Sequence, residues 1–145
     1  MKKQHLKAQS LVEFALILPL VLFLILGFFD LGRAIFNYAS LSNSVREGTR
    51  YAIVHKEVID NAAYISDYSE LKQIVFNYSF GISESDLTVD VLVTLDNASR
   101  DKISITATYL FVPLTPGIKQ ILGDGNGIPI LAQSTMLIEP ISRDD

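Results

Sequence analysis

The chain has 145 residues, no cysteine and a formal net charge of −4. That length allows one domain, the missing thiols exclude a disulfide framework and a thiolate metal site, and the acidic balance is wrong for a nucleic-acid binder. Hydrophobic residues make up 49% of the chain, but the excess is gathered near the start, so the remainder, roughly a hundred residues, can bury only a modest core.

The apolar block is LVEFALILPLVLFLILGFF, residues 11–29, in which Glu13 is the only ionisable residue. A helix of that length rises roughly 28 Å, close to the ~30 Å hydrocarbon thickness of a bilayer, and satisfies its backbone hydrogen bonds internally. The expected span is 9–29. The preceding leader, 1–8, carries Lys2, Lys3 and Lys7 and no acid, which predicts a cytoplasmic N-terminus and an extracytoplasmic remainder. A cleavable secretory signal is the competing reading. Its small-residue site would have to be Gly32 and Ala34, which flank Arg33, and the apolar run is longer than such signals use. Pro19 in mid-span predicts a kink, since it removes one donor from the helical ladder.

The helical period continues past the span. Leu31, Ile35, Tyr38, Leu41, Val45, Gly48 and Ala52 recur at three- and four-residue steps, predicting an amphipathic extension over 30–56 in one continuous helix with the span. Asp30 with Arg33 and Glu47 with Arg50 are spaced i,i+3, and Arg46 with Arg50 i,i+4; the expectation for all of them is a solvated helix face.

Residues 57–145 read as a small α+β domain. After an aperiodic stretch, YSELKQIVFNYSF predicts a short helix with Leu71, Val75 and Tyr78 on one side, ended by Gly81. In DLTVDVLVTL the residues Leu87, Val89, Val91, Val93 and Leu95 share a face, and in KISITATYLF so do Ile103, Ile105, Ala107, Tyr109 and Phe111. The polar link DNASRD joins these two as a hairpin. A connection with a short helix opened by Pro116 and a glycine-rich turn leads to ILAQSTMLIEP, whose alternation is less clean. The predicted fold is therefore a three-stranded antiparallel sheet whose apolar face is covered by the outer part of the long helix.

The residues AQSLVEFALILPLVLFLILGFFDLGRAIFNYASLSNSVREGTRYA resemble the signature of TadE-like proteins, the minor pilins or pseudopilins of tight-adherence pilus systems; the C-terminal two-thirds match only in outline, the closing MLIEP looking like the family's terminal strand. The resemblance covers roughly residues 8–52 and rests on the QSLVEFAL opening, the proline-containing span, the FDLGRA exit and the REGTRYA block, in that order. It implies a pilin-like fold, cleavage by a prepilin peptidase between Ala8 and Gln9, and partners among other pilins and the pilus machinery. Glycine often precedes the cut in this family; Ala8 is a small-residue departure. Cleavage would remove three lysines, taking the net charge from −4 to −7.

A lone carboxylate in a bilayer is costly unless neutralised or paired. The α-amino group exposed at Gln9, with a pKa near 8, is a suitable partner for Glu13 of the same or a neighbouring subunit, which would hold packed helices in register. The alternative is that Glu13 reaches the cytoplasmic headgroups on its own.

Enzymatic chemistry is not expected, nor is a cofactor. The histidines are His5, in the leader, and His55, at the end of the long helix, so a Ser-His-Asp arrangement could draw on His55 alone and a histidine metal site is short of ligands. Asp124 and Asn126, in Gly123-Asp124-Gly125-Asn126-Gly127, have the alternating oxygens of a calcium loop but lack its later glutamate, so a plain turn is the simpler reading. The triplets Asn77-Tyr78-Ser79 and Asn97-Ala98-Ser99 have only the form of glycosylation sites. From the sequence, then, the expected function is a non-enzymatic, membrane-anchored pilus-assembly component. The alternative is an uncleaved, anchored extracytoplasmic binding module.

Overall fold

The computed structural model describes residues 2–55, 68–94, 102–122 and 125–138. One helix, α1 (Lys2–Val54), takes up the first part of the chain and runs unbroken through Pro19. Helix α2 (Ser69–Tyr78) follows, then a 3-10 turn at Glu84–Asp86 and strands β1 (Leu87–Thr94) and β2 (Lys102–Phe111). A short helix, α3 (Ile118–Leu122), leads into β3 (Ile128–Leu137). The sheet order is β1-β2-β3, antiparallel throughout. The predicted α+β class, the three strands and the hairpin between the first two are all present.

Alternation decides which face is buried. Leu87, Val89, Val91 and Val93 point inward from β1, opposite Tyr109, Ala107, Ile105 and Ile103 of β2. Strand β3 alternates as regularly, with Ile128, Ile130, Ala132, Ser134 and Met136 on the inner side. Its sequence looked irregular because Ser134 occupies an inward position opposite Ile105, while Leu131 and Leu137 stand outward. The strand also begins earlier than its pattern suggests, taking in Pro129, which an edge strand tolerates because one side of its backbone needs no donor.

The outer part of α1 lies over β2 and β3, with α2 beside it against β1. Leu41, Val45 and Ala52 of α1 join Leu71 and Val75 of α2 and the inner residues of β2 in one core. Close approach is possible because Ser40, Ser44, Gly48 and Ala52 form a ridge of small residues one turn apart. A Cβ at Gly48 would stand 2.6 Å from Val75 Cγ2 and 3.3 Å from Ile105 Cδ1. Two buried hydroxyls of α1 are satisfied within the helix: Ser44 Oγ donates to the Leu41 carbonyl at 2.8 Å and Thr49 Oγ1 to that of Val45 at 2.6 Å.

Two expectations are corrected. Leu31, Ile35 and Tyr38, assigned to the stripe facing the domain, are exposed, the first two at 57% and 61%. The side that meets the domain at their level is Asp30, Ala34 and Asn37. The reason is phase: at 100° per residue Asp30, Asn37, Leu41 and Gly48 fall within about 20° of one line along the helix, whereas Tyr38, Leu31 and Ile35 stand about 80°, 100° and 140° from it. Tyr78 is likewise exposed, because α2 ends there. Ser79 caps it, its Oγ donating to the Val75 carbonyl at 2.8 Å, and Ile82 takes the inward place.

Candidate functional site where the helix meets the domain

Asp30 follows the last apolar residue of the predicted span, and its carboxylate is buried, at 5% exposure. It accepts four hydrogen bonds. Oδ1 takes the Leu114 amide at 2.8 Å and the Arg33 guanidinium at 3.3 Å; Oδ2 takes the Thr115 amide at 2.7 Å and the Thr115 hydroxyl at 2.6 Å. Pro113 and Pro116 bracket these residues and carry no N–H, so Leu114 and Thr115 hold the only amide donors between them. Both turn to Asp30. The segment is then reversed at Pro116-Gly117, where Gly117 takes a φ of 82° and the Ile118 amide returns to the Thr115 carbonyl at 3.5 Å.

Burial works to raise the pKa of Asp30, but the Thr115 hydroxyl, the two amides and Arg33 together outweigh it and hold the carboxyl below its usual value. Asp30 is therefore an anion at neutral pH, acting as a clamp between helix and sheet. The expectation of a solvated face fails here, and the 3.6-residue period would have revealed it: Asp30, Ala34, Asn37, Leu41 and Val45 lie on one side of α1. Arg33 completes the arrangement with its guanidinium 5.2 Å from the centre of the Phe111 ring.

Beside the clamp an open cleft of about 630 Å³ runs between α1 and the sheet. Ile25, Phe28, Phe29 and Phe36 supply its apolar wall, while Arg33, Asn37 and Tyr109 supply its polar groups. Asn37 is 7% exposed and Tyr109 9%. Among the described residues neither the Asn37 amide nor the Tyr109 hydroxyl has a hydrogen-bond partner.

The other sites singled out in the sequence lie apart from this region. Ala8 and Gln9 are within α1, and the Gln9 amide donates to Glu13 Oε1 at 3.2 Å, one turn on. Glu13 is exposed. His55 closes α1, stacked on Tyr51 with ring centres 4.0 Å apart. Tyr51 in turn donates its hydroxyl to Glu70 at 2.9 Å. Asn126 is exposed in a turn between Gly125 and Gly127, and Asp124 lies outside the described residues. No three His, Cys, Asp or Glu side chains among the described residues come together as a metal set, so the calcium candidate gains no support.

From Gln9 to Val54 the long helix qualifies as a candidate membrane span by length and composition, its most apolar window having a mean hydropathy of 2.7 and no residue buried by the rest of the chain. Among the described residues it is the one helix that qualifies, and it carries a small α+β domain, which is the architecture of an anchored domain. More particularly, the family described as TadE-like protein matches residues 8–50, under a third of the chain. No curated protein and no solved structure matches the chain.

Proposed function

We propose that this chain is a minor pilin, or pseudopilin, of a tight-adherence pilus, a non-enzymatic part anchored in the cytoplasmic membrane with its N-terminus inside and its sheet domain outside. In this reading a prepilin peptidase cuts between Ala8 and Gln9, and the product packs with other pilins or pseudopilins and the pilus machinery. The observation that carries the proposal is the family match over residues 8–50, which starts at the residue before the proposed cut and takes in Glu13, the apolar run and Asp30. The helix adds a physical rationale. Gln9 and Glu13 are one turn apart on one face and already within hydrogen-bond distance, so an α-amino group released at Gln9 would lie close to a carboxylate needing a counter-charge in the apolar layer. The lysines of the leader set the inside-out sense by the usual charge rule.

The test is the intact mass of the protein from its native membrane, with the N-terminal peptide identified by mass, because a terminal glutamine can cyclise and resist chemical sequencing. Loss of residues 1–8 is expected. A chain that keeps its leader would instead favour the anchored binding module, and a cut after Ala34 would make the domain a secreted one; either result rejects the pilin reading.

A further inference from the structure

The geometry points to the cleft beside Asp30 as a binding site for one anionic phospholipid from the leaflet on the domain's side of the membrane. This inference rests on the reading of residues 9–29 as a membrane span. Phe29 is the last residue of the apolar run. At 1.5 Å per residue Ile25 lies about 6 Å below it along the axis and Arg33 about 6 Å above. The headgroup layer on each side of a bilayer is itself some 5–7 Å thick, so the cleft straddles the boundary, with its apolar wall at the depth of acyl chains and its guanidinium at the depth of phosphate.

The chemistry of the lining agrees with that depth. Below the boundary the wall is Ile25, Phe28 and Phe29; above it stand one cation, Arg33, and no acid. Arg33 spends a single contact on Asp30, at 3.3 Å, and its side chain remains 44% exposed, which leaves donors of its planar fork for phosphate oxygens. Asn37 and Tyr109 give the independent sign of a ligand. Both are more than nine-tenths buried, both line the cleft, and neither has a partner among the described residues, although buried amides and hydroxyls ordinarily find one. A phosphatidylglycerol headgroup held at Arg33 would offer them its phosphate oxygens and the hydroxyls of its terminal glycerol, which reaches outward in the direction of the further turn from Arg33 to Asn37. The volume, about 630 Å³, lies within the range of sites that bury a small ligand against a mostly apolar wall with a few placed polar groups. The neighbouring surface is suited to the same depth: Leu114, held to the helix by Asp30, is an exposed apolar residue.

Native mass spectrometry of the full chain in a non-ionic detergent, with phosphatidylglycerol or phosphatidylcholine added, tests the site. Gly32→Trp plugs it: a Cβ at Gly32 meets nothing within 4 Å, so the ring can enter the cleft without displacing the domain. Arg33→Gln removes the charge. The wild-type protein should retain phosphatidylglycerol over phosphatidylcholine by about tenfold, the worth of one good charged contact. Gly32→Trp should lose both lipids, and Arg33→Gln should hold them equally. Equal retention of the two lipids by the wild type, or undiminished retention by Gly32→Trp at an unchanged melting temperature, overturns the proposal. A dimer that Gly32→Trp dissociates would give the cleft to a second copy and also overturn it. Flotation with liposomes separates the two readings: a protein that fails to float refutes the membrane span and this site together, whereas one that floats but retains no lipid refutes the site alone.

Discussion

Replacing Asp30 tests whether the domain is fastened to the helix by one carboxylate. In Asp30→Asn the shape is kept, but one of the two oxygens becomes an NH₂ group. Whichever way the amide is turned, that group faces a backbone amide, Leu114 on one side or Thr115 on the other, and donor meets donor. One charge-assisted bond worth about 1.5–3 kcal/mol is lost, and the others become neutral and weaker. Asp30→Ala leaves both amides and the Thr115 hydroxyl without their acceptor, at about 1–3 kcal/mol for each group that water cannot reach. Thr115 is almost wholly buried and Leu114 exposed, so solvent relieves part of this and a total near 3 kcal/mol is expected, against about 2 kcal/mol for the asparagine variant. For a domain of this size 1 kcal/mol moves the midpoint by some 4–8 °C. Thermal unfolding in detergent, followed by circular dichroism at a wavelength where the sheet contributes, should show Asp30→Asn melting roughly 10 °C below the wild type. A midpoint within 2 °C would refute the clamp.

Three further outcomes follow from neighbouring contacts. Thr115→Val keeps the volume and both amide bonds but removes the hydroxyl that donates to Asp30 at 2.6 Å; a loss of about 1.5 kcal/mol in urea unfolding is expected, and a smaller loss in an Asp30→Asn background, where the same bond is neutral. Gly48→Ala gains about 1 kcal/mol of helix propensity but drives a methyl to 2.6 Å from Val75 Cγ2, an overpacking of about 1–3 kcal/mol. It should melt below the wild type, while Gly32→Ala, with open space at its Cβ, should not. Because the Asp30 pKa is lowered on folding, its contribution is complete above the ordinary carboxylate pKa near 4 and is lost as the pH falls through the lower folded value. The stability gap between wild type and Asp30→Asn, measured by urea titration, should therefore be constant from pH 5 to 8 and close under stronger acid.

The long helix, the strands and the inward faces of β1 and β2 were legible because each rests on a periodicity that a single sequence displays. Residues 11–29 announce themselves by length alone. What the pattern could not supply was phase over a long distance. Leu31, Ile35 and Tyr38 looked like the lower end of the stripe that begins at Leu41, yet at 100° per residue they stand about 80–140° from the line of Asp30, Asn37, Leu41 and Gly48 that meets the sheet. Asp30 was misread for a related reason. Its partners, Leu114 and Thr115, lie more than eighty residues away, and an i,i+3 arginine supplied a sufficient local explanation. A carboxylate in phase with Asn37, Leu41 and Val45 was the available signal. The cleft could not be foreseen, since it needs the end of β2 and the turn at Gly81 brought up beside the exit of the span. The relation of Gln9 to Glu13 was legible, being a matter of one helical turn.

Helix α1 is uninterrupted from Lys2 to Val54, and the loop after β2 is fastened to it at Asp30, so the chain has no neck between its two halves. A tethered domain on a flexible stalk can tumble and search; this one cannot swivel without turning the apolar segment through the same angle. Torque or tension applied to the sheet is delivered to the span without slack. A displacement along the axis by one turn, about 5.4 Å, moves Glu13 by the same distance, so the level of that carboxylate reports directly on the height of the sheet domain.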